Sequence, residues 1–429
     1  MKPIRLPDSW IKCKLGEVLE YGKTIKADPE VLQADSWLLE LEDIEKDSSK
    51  LISQFTVKER KPKSTKNKFE CGQVLYGKLR PYLNKVIIAH EDGYCSTEII
   101  PLPNKSALNS RYVFYWLKSQ EFIKYSHQVS HGTNMPRLGT KAGNDAPFIL
   151  APLKEQNRIT RKLDITFKSI ESCKQKLNKT KEIIKHLRQS LLTDAVSGEL
   201  TKNWRKEKAI KTPFKKLIIN DLGDVVTGNT PKAVDIESTK EIPLFKPTEL
   251  DQGYETCNAK EMMSKERAEK ARILPPLTIL VTCIGATIGK TGLSRREGAT
   301  NQQINSLICN EEVALPKWAY FWFCSPIGQN AIINNASATT LPILNKSRFK
   351  ALGIEVPEIE EQKEIISKVE NYLEKIKDIE SKIVLILSTC ETLSKAVLTK
   401  AFSGELVPQD PNDEPAYILL KRIQKEKTI

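Results

Sequence analysis

The chain has 429 residues, 40% of them hydrophobic, and a formal net charge of +13. It is long enough for two or three domains with real cores and too apolar for intrinsic disorder. Its longest apolar runs, such as 318–324, are too short to span a bilayer, and its opening Met1-Lys2-Pro3-Ile4-Arg5 leads into a polar turn instead of an apolar leader, so a cytoplasmic protein is expected.

In chain order, residues 1–152 have mixed α/β character. Leu15-Gly16-Glu17-Val18 lies near the start. Short β-type runs at 73–76 and 86–89 are punctuated by Gly, Pro and Asn. A helical run covers 112–125. After Pro152 comes a long segment with no Gly or Pro until Gly198. Leu163, Ile170, Leu177, Ile184 and Leu191 fall at heptad steps within it, with Thr166, Cys173, Thr180 and Leu187 three residues later. That pattern predicts a coiled-coil helix over about five heptads, stopped at Gly198.

A basic linker over 202–213 leads to a second mixed region, which opens on Leu222-Gly223-Asp224-Val225 and holds a strand-like run at 278–282 and a helical run at 318–333. Beyond Pro357 the heptads return as Val369, Ile376, Ile383, Cys390 and Val397, with Tyr372, Ile379, Ile386 and Leu393 between them. Gly404 is the expected stop. The tail after Val407 has turn residues and then a basic, helix-like stretch.

The two long segments are copies. Residues 153–200 align without a gap on 359–406, an offset of 206, with 14 identities in 48 positions. Glu155-Gln156 returns as Glu361-Gln362, and Ser197-Gly198-Glu199-Leu200 as Ser403-Gly404-Glu405-Leu406. The period is far longer than a solenoid repeat. It is the size of a domain plus a long helix. The globular regions correspond as well: Trp116 with Trp322, Pro136 with Pro342, Lys85 with Lys290. Spacing is kept while identity mostly is not. A helix with one apolar seam needs a partner, and the matching seam is the other copy. Packing of each helix on its own domain is the bland alternative. The first seam, with its Thr and Cys, is the weaker and suits partial cover by another subunit.

The expected fold is therefore α+β, with two similar mixed α/β domains joined by two long helices that pair as a coiled coil, a pseudo-twofold internal repeat. The boundaries are 1–152 for the first domain, 153–205 for the first helical region, 206–215 for the linker, 216–357 for the second domain, 358–406 for the second helical region and 407–429 for the tail.

The sequence lacks the usual marks of catalysis. Gly285 to Thr291 resembles a phosphate-binding loop but has Ile284 where that loop needs glycine, and reads better as a turn. The chain has no metalloprotease helix, nucleophile elbow or dinucleotide fingerprint. The only Pro-Pro, Pro275-Pro276, follows Leu274 and does not make an amino-methyltransferase motif. Nine cysteines without a Cys-x-x-Cys pair and four histidines without metal spacing suggest reduced thiols and no zinc site.

The positive charge favours nucleic acid as partner. A basic solvated surface is the plain alternative, and an anionic membrane a weaker one. Candidate DNA-binding residues are Lys78, Arg80, Tyr82, Lys85, Thr97, Thr133, Asn134 and Arg137 in the first half. In the second they are Thr282, Lys290, Asn301, Gln302, Gln303, Thr339, Thr340, Lys346 and Arg348. Arg pairs with guanine edges and Asn or Gln with adenine edges, while Lys and Arg also hold phosphates. Many of these could equally be ordinary loop residues. Their divergence at matched places is more telling: Thr97-Glu98 stands opposite Gln302-Gln303, and Asn134 opposite Thr340.

Several short motifs, in this order around two heptad helices, resemble the specificity (S, HsdS) subunit of Type I restriction–modification systems. They are Leu6-Pro7-Asp8-Ser9-Trp10, both Leu-Gly-acid-Val openings, both Ser-Gly-Glu-Leu ends and Asp410-Pro411-Asn412-Asp413-Glu414-Pro415-Ala416. The resemblance implies a non-catalytic subunit that reads a bipartite, asymmetric double-stranded DNA site, with the two globular regions as target recognition domains and the long helices paired as an antiparallel coiled coil that acts as a ruler between two half-sites. It implies two modification (methyltransferase) subunits that use S-adenosylmethionine, restriction (translocase/endonuclease) subunits that use ATP and Mg, and no cofactor, catalytic residue or metal in this chain. The rival readings are a stand-alone DNA-binding coiled-coil scaffold without enzyme partners and, third, an enzyme with its own nuclease or methyltransferase centre.

Overall fold

The computed structural model describes residues 6–132, 134–210, 214–230, 241–337 and 341–428. The chain divides into two compact units, Met1–Lys176 with Leu385–Ile429, and Leu177–Val384. The division falls inside two 45-residue helices, Leu153–Ser197 and Ile359–Ser403, each about 67 Å long at 1.5 Å per residue. Each unit therefore owns half of each helix. Both helices stop as expected, at Gly198 and Gly404 with φ of 82° and 79°, where glycine takes the left-handed turn without a Cβ penalty.

In the first unit, strand Ile11–Lys14 pairs antiparallel with Pro147–Leu150. A three-stranded sheet has Val74–Gly77 at its centre, between Val86–Ile88 and Ile99–Leu102. A four-stranded sheet runs Ile25–Ala27, Lys66–Phe69, Gly93–Cys95, Trp37–Leu39, its last pair parallel. The second unit repeats the plan with different edges. Lys215–Ile218 pairs with Gly353–Val356. Ile279–Thr282 lies between Ile304–Cys309 and Thr291–Leu293, with Gly223–Thr227 on the outer side of Ile304–Cys309. A small sheet joins Met262–Met263, Ile242–Phe245 and Ala299–Thr300.

The helical runs expected at 112–125 and 318–333 each prove to be two helices: Ser110–Leu117 and Gln120–Val129 in one unit, Pro316–Cys324 and Pro326–Asn335 in the other. The break has one cause in both. Ser119 and Ser325, 206 apart, turn their hydroxyls onto the amides of Phe122 and Gly328 and cap a new helix. Within the expected linker, Lys202–Glu207 forms a helix. The tail forms helix Ala416–Thr428, whose Ala416, Leu419, Leu420 and Ile423 lie in the first unit's core.

The long helices run antiparallel within each unit. In the first, Glu155 meets Gln409 and Arg158 meets Asp413 just beyond the other helix's end, while the Cys173 and Cys390 thiols hydrogen-bond further along. In the second, Arg188 faces Glu380, and Lys368 donates to the Leu200 carbonyl. One heptad row is buried as expected: Leu163, Ile170, Ile184 and Leu191 on the first helix, Val369, Ile376, Ile383, Cys390 and Val397 on the second, with Leu177 half-buried. The other row is not. Thr166, Cys173 and Thr180 are half-buried, and Leu187, Tyr372, Ile379, Ile386 and Leu393 are exposed. Two helices close along one line, and nothing among the described residues covers the second.

Two residues identical in both copies form the same junction twice. Gln156 accepts the Asn109 amide at 3.1 Å and donates to the Ala151 carbonyl at 2.8 Å. Gln362 accepts the Leu315 amide at 2.7 Å and donates to the carbonyls of Pro357 and Val313. Each glutamine thus ties the start of its long helix to the loop before the first domain helix. The preceding glutamate reaches the other way. Glu155 accepts from Trp10 at 2.8 Å and Gln409 at 2.5 Å. Glu361 accepts from Thr201 at 2.5 Å and also from Arg205. Burial pushes the Glu155 carboxyl up from its ordinary range, against the pull of those hydrogen bonds. A second repeated tie joins domain to helix: Arg111 and Tyr115 bind Asp164, as Lys317 and Tyr254 bind Glu370.

Among the described residues no helix is long and apolar enough to cross a membrane.

Gln156→Leu and Gln362→Leu should each lower stability by about 1–3 kcal/mol, because a buried amide loses its acceptor. Guanidinium titration reads this directly, and an unchanged midpoint would remove the glutamines from the account of the junction.

Candidate nucleic-acid interface

The central strand of each unit ends in a loop that is clamped between two others by backbone hydrogen bonds. In the first unit the Lys78 amide donates to Glu98, the Arg80 amide to Pro136, and the Leu138 amide to Lys78. In the second the Cys283 amide donates to Gln303, the Gly285 amide to Pro342, and the Leu344 amide to Cys283. The bridges Leu79↔Arg137 and Ile284↔Ile343 complete the match. Three segments far apart in sequence are thereby brought to one edge of each unit, and they are the segments that carry the candidate residues. Thr97-Glu98 and Gln302-Gln303 do occupy equivalent places.

In the first unit Arg80, Tyr82, Asn134 and Arg137 are exposed on this edge, with Lys78 and Thr97 half-buried. Arg80 and Asn84 bracket the short helix Pro81–Leu83 with φ of 50° and 48°. A non-glycine residue there costs on the order of 1 kcal/mol. The matched position in the second unit is Gly285, with φ of 94°, which carries no such cost. Arg80 thus holds this turn at a cost that Gly285 avoids, with its own side chain exposed. Arg137 is paired with Glu98 at 3.0 Å, which holds it further into its charged form. Tyr82, His127, Ser130 and Asn134 help line a cleft of about 310 Å³ beside this loop. His127 and Ser130 come from the last turn and C-terminal cap of helix Gln120–Val129 and had no signal of their own in the sequence. Only the fold sets them beside Tyr82.

The second unit is different. Gln302 is exposed and accepts from Thr230, and Gln303 is half-buried. Lys346 and Arg348 are exposed on helix Lys346–Lys350, with Arg348 reaching the Asn335 carbonyl. The exposed apolar residues Ile333, Leu341 and Ile343 also lie in this region, and a search for polar residues passes over them. Thr133, Thr339 and Thr340 lie outside the described residues.

Four candidates are buried or paired with protein groups. Lys85 donates to the Leu41 carbonyl at 2.7 Å, and burial pulls its ammonium below the usual range, opposed by Asp43 and Glu42. Its counterpart Lys290 is paired with Asp251 at 2.6 Å. Both matched lysines therefore pin the central-strand hairpin to a neighbouring 3₁₀ segment. Asn301 is buried, bonded to the Gln303 side chain and amide. Thr282 is fully buried at the end of its strand. The stretch 285–291 is a turn, as expected, with Gly285 and Gly289 at positive φ. No cluster of His, Cys, Asp and Glu suited to a metal ion is present among the described residues.

A family model, Type I restriction modification DNA specificity domain, matches the chain twice, over residues 7–182 and 212–386. The chain is 26% identical over 345 residues to the Type I restriction enzyme EcoBI specificity subunit of Escherichia coli, covering 74% of this chain and 72% of that protein. Its fold is similar to a chain from a solved type I R-M system assembly, with TM-score 0.78 and 17% identity over 94% of this chain and 100% of that one. It is also similar to the HsdS subunit from Thermoanaerobacter tengcongensis, with TM-score 0.63 and 16% identity over 94% and 99%.

Lys85→Ala is expected to cost about 1 kcal/mol of stability through the lost carbonyl contact. Arg80→Ala, which keeps a Cβ at the left-handed position, should leave the melting temperature unchanged and weaken DNA binding. Parallel melting and salt-titrated binding assays separate the two. A weaker DNA affinity for Lys85→Ala at unchanged stability would reverse the assignment.

Proposed function

We propose that this chain, which belongs to the Type I restriction modification DNA specificity family, reads a bipartite, asymmetric double-stranded DNA site with one half-site for each globular half. Its role is that of the sequence-specificity subunit of a Type I restriction–modification complex, and catalysis resides in partner subunits. The observation that carries the bipartite reading is the loop clamp, built twice from the same backbone hydrogen bonds and filled with unlike side chains. Arg80 stands where the second unit has Gly285, and Thr97-Glu98 where it has Gln302-Gln303. One frame with two chemistries suits two different half-sites. Base contacts would come from Arg80, Tyr82, Asn134, Gln302 and Gln303, and phosphate contacts from Lys78, Lys346 and Arg348.

The partners in this reading are two modification subunits, which bind S-adenosylmethionine and methylate a flipped adenine, and restriction subunits that use ATP and Mg. This chain itself takes no cofactor, and the assembly works in the cytoplasm. The uncovered row Tyr372, Ile379, Ile386 and Leu393 repeats every seven residues on one helix. That periodicity suits a helical surface of a modification subunit laid along it.

Exchanging residues 1–152 for another recognition domain should change one half-site and keep the other, as read by methylation-sensitive sequencing of host DNA. A change in both would end the modular reading. Adding one heptad to both long helices should alter the gap and leave the half-sites, and an unchanged gap would end the ruler idea. Ile379→Asp with Ile386→Asp should abolish stoichiometric co-purification of the methyltransferase subunit while shifting stability by no more than about 0.5 kcal/mol, as expected for exposed sites. Full recovery of the partner would place its docking surface elsewhere, and a wild-type chain that purifies alone would favour the solitary scaffold.

A further inference from the structure

The two interface edges differ in more than detail. Ile333, Leu341 and Ile343 of the second unit are 56%, 52% and 38% exposed. With the offset of 206 they stand at the places of His127, Met135 and Arg137. The first unit thus offers a hydrogen-bonding edge, with an imidazole and a guanidinium. The second offers branched aliphatic groups at two of those same places and keeps an apolar one at the third.

These groups belong to one local surface. Ile343 bridges to Ile284 and its carbonyl accepts the Ser337 amide. A Cβ at Gly285 would lie 3.6 Å from Leu341 Cδ1, so that side chain lies over the loop. Ile333 lies in the last turn of helix Pro326–Asn335, and its carbonyl accepts the Ala336 amide. Exposed Lys346 and Arg348 follow within one helical turn. Single exposed aliphatics are ordinary on a surface. Three on the edge that the fold equips for DNA, bordered by cations, are not explained by chance exposure.

In the DNA major groove one group is apolar, the C5-methyl of thymine, and aliphatic side chains recognise it by contact. The cations beside the patch suit the flanking phosphates. We propose that Leu341, Ile343 and Ile333 are specificity-determining residues that read thymine methyl groups in the half-site of the second unit, whereas the first unit reads its half-site through hydrogen bonds. The assignment rests on the specificity-subunit reading above.

The test uses the complex of this chain with its modification subunits, after the exchange experiment has assigned each half-site. Each thymine of the second half-site is replaced in turn by deoxyuridine, which removes the methyl and keeps every hydrogen-bonding group. Competition binding should show about a fourfold loss per methyl read, the scale of burying one such group. The same replacements in the first half-site should change nothing. In Leu341→Ala and Ile343→Ala complexes the thymine–deoxyuridine difference should vanish, a coupling between methyl and side chain. A second half-site without any A·T pair, a neutral result at every thymine, or an undiminished difference in the variants overturns the proposal. The deoxyuridine arm needs only the wild-type chain, so a variant that folds poorly does not block it. Specific binding indifferent to the methyls defeats this inference alone, and a complex with no sequence preference at all defeats the specificity reading with it.

Discussion

The rest of each unit depends on the junction made by one Glu-Gln pair. A 45-residue helix starting at a domain's edge has four unsatisfied amides and no inherent angle to that domain. Gln156 and Gln362 fix the angle by hydrogen-bonding backbone on both sides of the helix start. Glu155 and Glu361 then bind the chain that follows the other helix's Ser-Gly-Glu-Leu end. One dipeptide therefore joins a domain, the helix leaving it and the helix arriving at it. It is buried and bonded on both sides, so a substitution leaves groups around it unpaired. That is the physical reason for its identity in both copies while the domains around it diverged.

The same logic reaches the recognition edge. The clamp around the central-strand loop uses backbone groups almost entirely, and backbone is indifferent to side-chain identity. Arg80 can stand where Gly285 does, and Glu98 where Gln303 does, without disturbing the hydrogen bonds that place them. The placement of the edge is thereby held by backbone atoms and its surface chemistry by side chains. Where a side chain is part of the frame it is kept in kind: Lys85 and Lys290 both anchor the hairpin, one to a carbonyl and one to Asp251.

Much of this was legible in the chain. The helix stops at Gly198 and Gly404, the buried row from Leu163 to Val397 and the match of Thr97-Glu98 to Gln302-Gln303 all follow from spacing, because local periodicity and covalent connectivity create them. The serine breaks at Ser119 and Ser325 were hidden inside strongly apolar runs, where a capping hydroxyl is a weak signal against hydrophobic pattern. Lys85 and Lys290 looked like ligands because a charged residue in a turn carries no mark of whether its partner is DNA or a nearby carbonyl.

The sequence by itself determined the duplication, the two long helices, the need of each apolar seam for a partner and the kind of partner the charge invites, since these depend on residue identity and order alone. Only the tertiary structure decided which side chains meet at the edge of each unit. His127 reaches the cleft beside Tyr82, and Leu341 lies over Gly285, through contacts between segments some 45 to 56 residues apart. The register of those segments is set by strand pairing and by the clamp, which no local pattern encodes. The heptads likewise promised two buried rows, and packing closed one. A pair of helices has a single line of contact, and the row left over is exposed or half-buried.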